Sequence, residues 1–338
     1  MTVAIQAEGL SKTYNGKVKA VENVGFTVEA GEAYGFLGPN GAGKTTTVSM
    51  LTAQLVPTAG SAVVDGVDVT RDRATLKQRI GLVFQESTAD SDLTGRENLT
   101  LAAALFNVPR RETRQRVDSL LEQMQIGDAA DRLAKTYSGG MRRRLELAVG
   151  IIHAPKVLFL DEPTLGLDPQ GRAGFWQYVE QFRRDRGMTV FMTTHYLEEA
   201  DNICDRIAII DKGHIVATGT PSELKDRLGG DVITLRPTKP APELEAALKA
   251  VRGVSSVAAV DGTYRVKGPR GEELVPALFE ACAKLGVGVA GVSLKRPSLD
   301  EVFLEFTGRE FREEEGGNAT DRAVRIGQVQ QAFGRRQR

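Results

Sequence analysis

The residues most suited to chemistry lie at two places. Gly38-Pro39-Asn40-Gly41-Ala42-Gly43-Lys44-Thr45 follows the spacing G-x-x-x-x-G-K-[ST], with Thr46 next in line. Glycines at these positions let backbone N–H groups turn inward around a phosphate, and a following helix adds the positive end of its dipole. Lys44 is placed to reach the β and γ oxygens, and the Thr45 hydroxyl to ligate Mg²⁺. The second place is Asp161-Glu162, where four apolar residues (157–160) run straight into two carboxylates. Desolvating adjacent charges for packing alone is expensive, so the pair points to function. Asp161 is expected in the Mg²⁺ shell and Glu162 as the general base on an attacking water.

Stepping from these residues to their supports, apolar runs at 33–37, 80–84, 157–160, 188–193 and 206–210 read as strands of a buried parallel sheet. Helical spacing over 93–106, 110–125, 139–152 and 169–186 alternates with them. Residues 3–8 and 20–28 form a β-rich antiparallel annex before the cradle. The layout is α/β, with a mixed core sheet.

Tyr137-Ser138-Gly139-Gly140-Met141 opens the helix that precedes the acidic strand. Its N-terminus offers a hydroxyl and backbone amides to an anion. The string resembles the signature motif of ATP-binding cassette (ABC) proteins, usually Leu-Ser-Gly-Gly-Gln, with Tyr137 for Leu and Met141 for Gln. That resemblance implies a P-loop NTPase cassette with a helical subdomain at about residues 88–152. In it, Ser138, Gly139 and Gly140 of one subunit close over the nucleotide of another. It also implies that Tyr14 stacks on adenine and that Gln85 senses Mg²⁺ and the membrane partner. Asp168 would lie in the D-loop at the dimer seam, and His195 would contact the γ-phosphate.

The string Tyr-Ser-Gly-Gly-Met-Arg-Arg-Arg-Leu and the run Ser298-Leu-Asp-Glu-Val-Phe-Leu-Glu-Phe-Thr-Gly308 are similar to the daunorubicin/doxorubicin-resistance ATPases. This narrower likeness implies an ATP- and Mg²⁺-dependent ATPase on the cytoplasmic face of a bacterial membrane. A second copy and a separate permease of about six spans would be its partners, and a drug-like compound the cargo. An importer ATPase with a sensing domain, or a non-transport ABC protein acting on nucleic acid, are the alternatives. Arg142–Arg144 suit either a permease- or nucleotide-facing surface or a solvated basic face.

The cassette is expected to span 1–228, followed by an accessory unit at 229–308. There the element order β-α-β-β-α-β suggests a ferredoxin-like α+β fold, with a helix at 242–252 and a hairpin at Asp261-Gly262. Ser298 and Glu301 form a capping-box pattern. Leu299, Val302, Phe303 and Phe306 then make an apolar stripe, read either as an assembly surface for dimer and permease or as packing onto its own sheet. Residues 309–338 read as a charged tail, with Ile326, Val329 and Phe333 at amphipathic spacing.

Composition narrows the classes. The 338 residues carry 44 Lys+Arg and 44 Asp+Glu, and this neutrality disfavours nucleic acid as a partner. A hydrophobic share of 41% and a charged share of 26% fit a folded globular chain rather than wholesale disorder. No run approaches the ~18 apolar residues of a membrane span, and residues 1–8 lack a signal-peptide layout. Cys204 and Cys282 read as inert thiols of a reducing compartment.

Overall fold

A computed structural model describes residues 2–84, 88–228, 230–239, 241–260 and 262–307. Gln85, Asp261 and the tail at 309–338 lie outside them. The annex strands come first, β1 (Val3–Tyr14) and β2 (Val18–Glu29), followed by the core strand β3 (Ala33–Leu37) and helix α1 (Lys44–Leu51). Next come β4 (Ala59–Val64), β5 (Val67–Asp68), α2 (Arg73–Arg79) and β6 (Ile80–Val83). The helical region holds α3 (Gly95–Leu105), α4 (Arg110–Gln123) and α5 (Gly139–Ile151). Beyond it lie β7 (Val157–Asp161), α6 (Pro169–Arg186), β8 (Thr189–Thr194), α7 (Leu197–Ile203), β9 (Arg206–Asp211), β10 (His214–Gly219) and α8 (Pro221–Asp226).

Six strands form the core sheet in the order β10-β9-β3-β8-β7-β6, parallel except for β10. Their side chains alternate between two apolar layers, which explains the continuous hydrophobic runs. Leu37, Leu158, Leu160 and Met192 face the helical layer, whereas Phe36, Phe159 and Phe191 face the annex. The annex is antiparallel, ordered β2-β1-β4-β5. Strands β4, β5 and β10 and helix α2 have no counterpart in the sequence reading. Strand β4 opens on Ala59-Gly60-Ser61, residues with little strand preference, so pairing with β1 decides its conformation.

The C-terminal unit contains β11 (Asp231–Pro237), α9 (Leu244–Lys249), β12 (Ser256–Val260), β13 (Thr263–Gly268), α10 (Gly271–Lys284), β14 (Val289–Lys295) and α11 (Leu299–Thr307). The expected order β-α-β-β-α-β is present, and the four strands pair antiparallel as β12-β13-β11-β14. Their own core holds Ile233, Leu235, Leu248, Val266 and Leu278. Helix α9 is shorter than the expected 242–252, because a turn from Ala250 to Gly253 ends it.

Helix α11 corrects both readings of its stripe. Leu299, Val302 and Phe303 are fully or almost fully buried, and they join the core beneath the six-stranded sheet rather than that of the C-terminal sheet. The helix lies against α7, α8 and β10, with Phe306 packed at the edge. The stripe is thus interior, and an assembly surface built on it is excluded. The capping box is half formed: the Glu301 N–H donates to Ser298 Oγ at 3.2 Å, but the Glu301 carboxylate pairs with Lys295 at 2.6 Å.

Candidate active site

The cradle links β3 to α1. Gly41 and Gly43 adopt φ of 80° and 112°, in the region that favours glycine. At Gly38 a Cβ would sit 2.3 Å from the Ile210 carbonyl, so the loop can pass over β9 only without a side chain. Gly43 is the N-cap of α1, with no side chain capping it and no acid in the first turn. A lysine stands there instead, against the helix dipole. Lys44 is 5% exposed, and its Nζ donates to the Gly38 carbonyl at 2.8 Å. An uncapped helix start, bare glycine backbone and a buried cation together suit a phosphate group.

The acidic strand delivers its carboxylates to the same place. Lys44 Nζ lies 3.4 Å from Glu162 Oε1, and His195 Nδ1 lies 3.5 Å from Glu162 Oε2. Burial pushes the Glu162 carboxyl up, but the hydrogen bond from His195 and the Lys44 charge outweigh it and hold it below the usual glutamate range. Asp161 goes the other way. Burial raises its carboxyl, although the hydroxyls of Thr193 and Thr45 and the Lys44 charge oppose the rise. Thr193 Oγ1 donates to Asp161 at 2.5 Å and also accepts the Glu162 N–H at 3.1 Å.

No cluster of three or more His, Cys, Asp and Glu suited to a metal occurs among the described residues. What the site offers is a hydroxyl and a carboxylate, Thr45 at the start of α1 and Asp161 at the end of β7, close enough for the hydroxyl to hold the carboxyl's pKa down against burial. Two hard oxygen ligands suit Mg²⁺, which keeps several waters and shares phosphate oxygens.

The other expected residues have separate positions. Ser138 caps α5, accepting the Met141 N–H at 3.2 Å, and Gly139 is exposed with open space where a Cβ would go. No hydrogen bond or ion pair among the described residues joins Ser138, Gly139 or Gly140 to Lys44, Asp161, Glu162 or His195. Asp168 is exposed and caps α6 through the Gly171 N–H. Tyr14 ends β1 and is 39% exposed. The two departures in the signature have structural roles. Met141 packs on the helical core, and buried Tyr137 donates its hydroxyl to the Ala129 carbonyl at 2.7 Å. Gly95 makes room for that hydroxyl.

Sequence reasoning missed Thr193, Thr164, Glu199 and the fate of the arginine run. Buried Glu199 on α7 accepts from Thr164 at 2.7 Å and Thr194 at 3.1 Å, tying the loop after Glu162 to the strand end before His195. The adjacent threonines ahead of His195 were the available signal. The solvated-face reading of Arg142–Arg144 does not hold: Arg143 is buried, and Arg144 is half-buried and donates to the Met124 carbonyl at 3.0 Å.

A phosphate cradle, two strand-end carboxylates, a strand-end histidine and a serine-capped signature helix on this sheet define an ATPase cassette of the ABC class. The family model described as "ABC transporter" matches residues 21–165. That described as "ATP-binding protein DrrA1-3-like, C-terminal domain" matches residues 219–307. The daunorubicin/doxorubicin resistance ATP-binding protein DrrA of Streptomyces peucetius is 45% identical, over 91% of this chain and 93% of that one. The linearmycin resistance ATP-binding protein LnrL of Bacillus subtilis is 35% identical, over 91% of this chain and 100% of its own length. Among solved structures, cbiO1 from Clostridium perfringens, part of the ABC transporter complex cbiONQ, superposes with a TM-score of 0.62 at 28% identity. It covers 66% of this chain and 91% of that chain. The chain belongs to the DrrA-like daunorubicin/doxorubicin resistance ATP-binding proteins of the ABC transporter family.

Proposed function

We propose that this chain is the ATP-hydrolysing subunit of an exporter for a drug-like or hydrophobic compound, working with a separate permease of about six spans. The observation that carries the catalytic part is the Glu162 carboxylate held between Lys44 and His195 beside the uncapped start of α1. Lys44, with the backbone at Gly38, Pro39, Asn40, Gly41, Ala42 and Gly43 and the hydroxyls of Thr45 and Thr46, binds the phosphates of ATP. Thr45 and Asp161 hold Mg²⁺, with Gln85 as a further ligand; bound there, the ion neutralises charge on the phosphate oxygens. Glu162, kept ionised, accepts the proton of the attacking water, and His195 orients the γ-phosphate and the Glu162 carboxylate. Lys44 leaves the Gly38 carbonyl to reach phosphate, so the contact at 2.8 Å is the resting partner of a binding residue.

The exposed signature start, unattached to its own chain's cluster, supports a head-to-tail pair in which Ser138, Gly139 and Gly140 complete the partner's site and Asp168 lies at the seam. Tyr14, on the exposed end of β1, stacks on adenine. Boundaries of 1–228 for the cassette, with a helical subdomain at 88–152, and 229–308 for the accessory unit remain our reading; the separate core of β11–β14 supports the second unit, whereas α11 at its end packs into the cassette. The names of the DrrA and LnrL relatives, both resistance proteins, favour export over import. The subunit works at the cytoplasmic membrane face, brought there by the permease. Among the described residues no helix is long and apolar enough to cross a membrane.

Lys44→Ala removes the only cation of the cradle, so both ATP binding and turnover should be lost. Glu162→Gln should bind ATP normally, stop turnover and trap an ATP-dependent dimer visible by size exclusion. Near-normal hydrolysis by either variant would refute the assignment. Transport is tested by co-purifying the permease and asking whether a hydrophobic amine drug stimulates ATPase activity.

A further inference from the structure

Arg143 is the one charged residue of the signature helix that is buried and directed at the catalytic strand. Its side chain is 8% exposed, and that of its partner Glu146, one turn later on α5, is 4% exposed, with Nη1 to Oε2 at 2.6 Å. Three of the four remaining donors of the guanidinium meet backbone carbonyls. Nη2 donates to the Glu162 carbonyl at 3.2 Å, Nε to the Pro163 carbonyl, and Nη1 to the Phe84 carbonyl at 2.7 Å. One planar fork thus joins the signature helix to the two residues that follow β7 and to the residue that follows β6.

Glu162 has a particular need for such a partner. Its φ of 49° is left-handed, a conformation that a residue with a Cβ adopts only when its surroundings impose it. The N–H side is fixed by Thr193, through its carbonyl and hydroxyl, both at 3.1 Å. The carbonyl side is fixed by Arg143. From these contacts we infer that Arg143, oriented by Glu146, is a positioning residue for hydrolysis. It holds the Glu162 backbone so that the carboxylate points at the attacking water, and it transmits movement of the signature helix to that carboxylate. The inference rests on Glu162 acting as the base.

A fork that acts on the Glu162 backbone should change turnover and leave nucleotide affinity alone, because none of its contacts goes to the cradle. Two variants of the full chain test this. Arg143→Met with Glu146→Leu removes both buried charges together at similar volume, which avoids an orphaned ion. Arg143→Lys keeps the buried charge but replaces the fork by a point donor. For each, melting, the Kd for a fluorescent ATP analogue with Mg²⁺, and kcat are measured beside Glu162→Gln. The double variant should melt near the parent, bind the analogue within threefold of it and lose at least tenfold in kcat. Arg143→Lys should lose at least threefold in kcat at unchanged Kd. A folded double variant with kcat within twofold of the parent overturns the inference, as does an equal loss of affinity and kcat. If the double variant does not fold, Arg143→Lys decides alone, parental kcat refuting the role. If Glu162→Gln turns over normally, the base assignment has failed. If Glu162→Gln is inactive while the Arg143 variants are parental, only the positioning role has failed.

Discussion

Truncating Phe303 tests whether α11 is part of the cassette interior. The side chain is fully buried, and it shares its core with Leu197 and Ala200 of α7, Leu224 of α8 and Ala217 of β10. Phe303→Ala removes a fully buried ring, so the loss combines transfer and cavity terms, about 3–5 kcal/mol. A folded unit of 150–250 residues shifts by about 2–4 °C per kcal/mol, so melting should fall by about 6–20 °C. The assay is scanning calorimetry of the isolated subunit, without permease, so that no assembly partner contributes. Leu304 is the internal control: it is 42% exposed on the opposite face of the same helix, and Leu304→Ala should move melting by no more than about 2 °C. A Phe303→Ala protein that melts within 2 °C of the parent but fails to assemble with the permease would refute the interior placement and restore the assembly reading.

His153 should make stability depend on pH. Its Nε2 donates to the Ile80 carbonyl at 3.0 Å, its ring stacks on Phe106 at 3.9 Å, and its buried Nδ1 has no partner. Burial, aided by the Arg116 charge, pulls its pKa down to about 4. The unfolded chain takes up a proton near pH 6.5 that the folded chain refuses, so stability drops as pH falls from 6.5 to 4, by about 3 kcal/mol. Urea titrations across that range should show the drop and His153→Gln should flatten it; an unchanged slope would exclude His153 as the source. Gly38→Ala, which drives a methyl into the Ile210 carbonyl, should abolish binding of an ATP analogue. Gly41→Ala, facing open space, should bear only the backbone cost of about 1–2 kcal/mol, and the reverse ranking would contradict the cradle geometry. Gly95→Ala places a methyl 2.3 Å from the Tyr137 hydroxyl. It should destabilise the parent but much less a Tyr137→Leu background, a coupling that a double-mutant cycle on melting reads directly.

Some features were local enough to be legible without coordinates. The cradle is a contiguous string whose glycines are dictated by backbone conformation, and the acidic pair ends an apolar strand, so both could be placed on their elements from order and spacing. The core strands were equally legible, because a sheet covered on both faces leaves continuous apolar runs. Tertiary structure decided what meets what. Lys44, Glu162 and His195 are far apart in the chain and converge only because β3, β8 and β7 lie side by side in the sheet. The run Arg142–Arg144 gave no sign that its middle member turns inward, since a helix facing a strand end and a solvated helix can carry the same arginines. The stripe on α11 announced burial but not its partner: hydrophobicity has no direction, and only the packed chain placed Phe303 against the cassette rather than its own sheet.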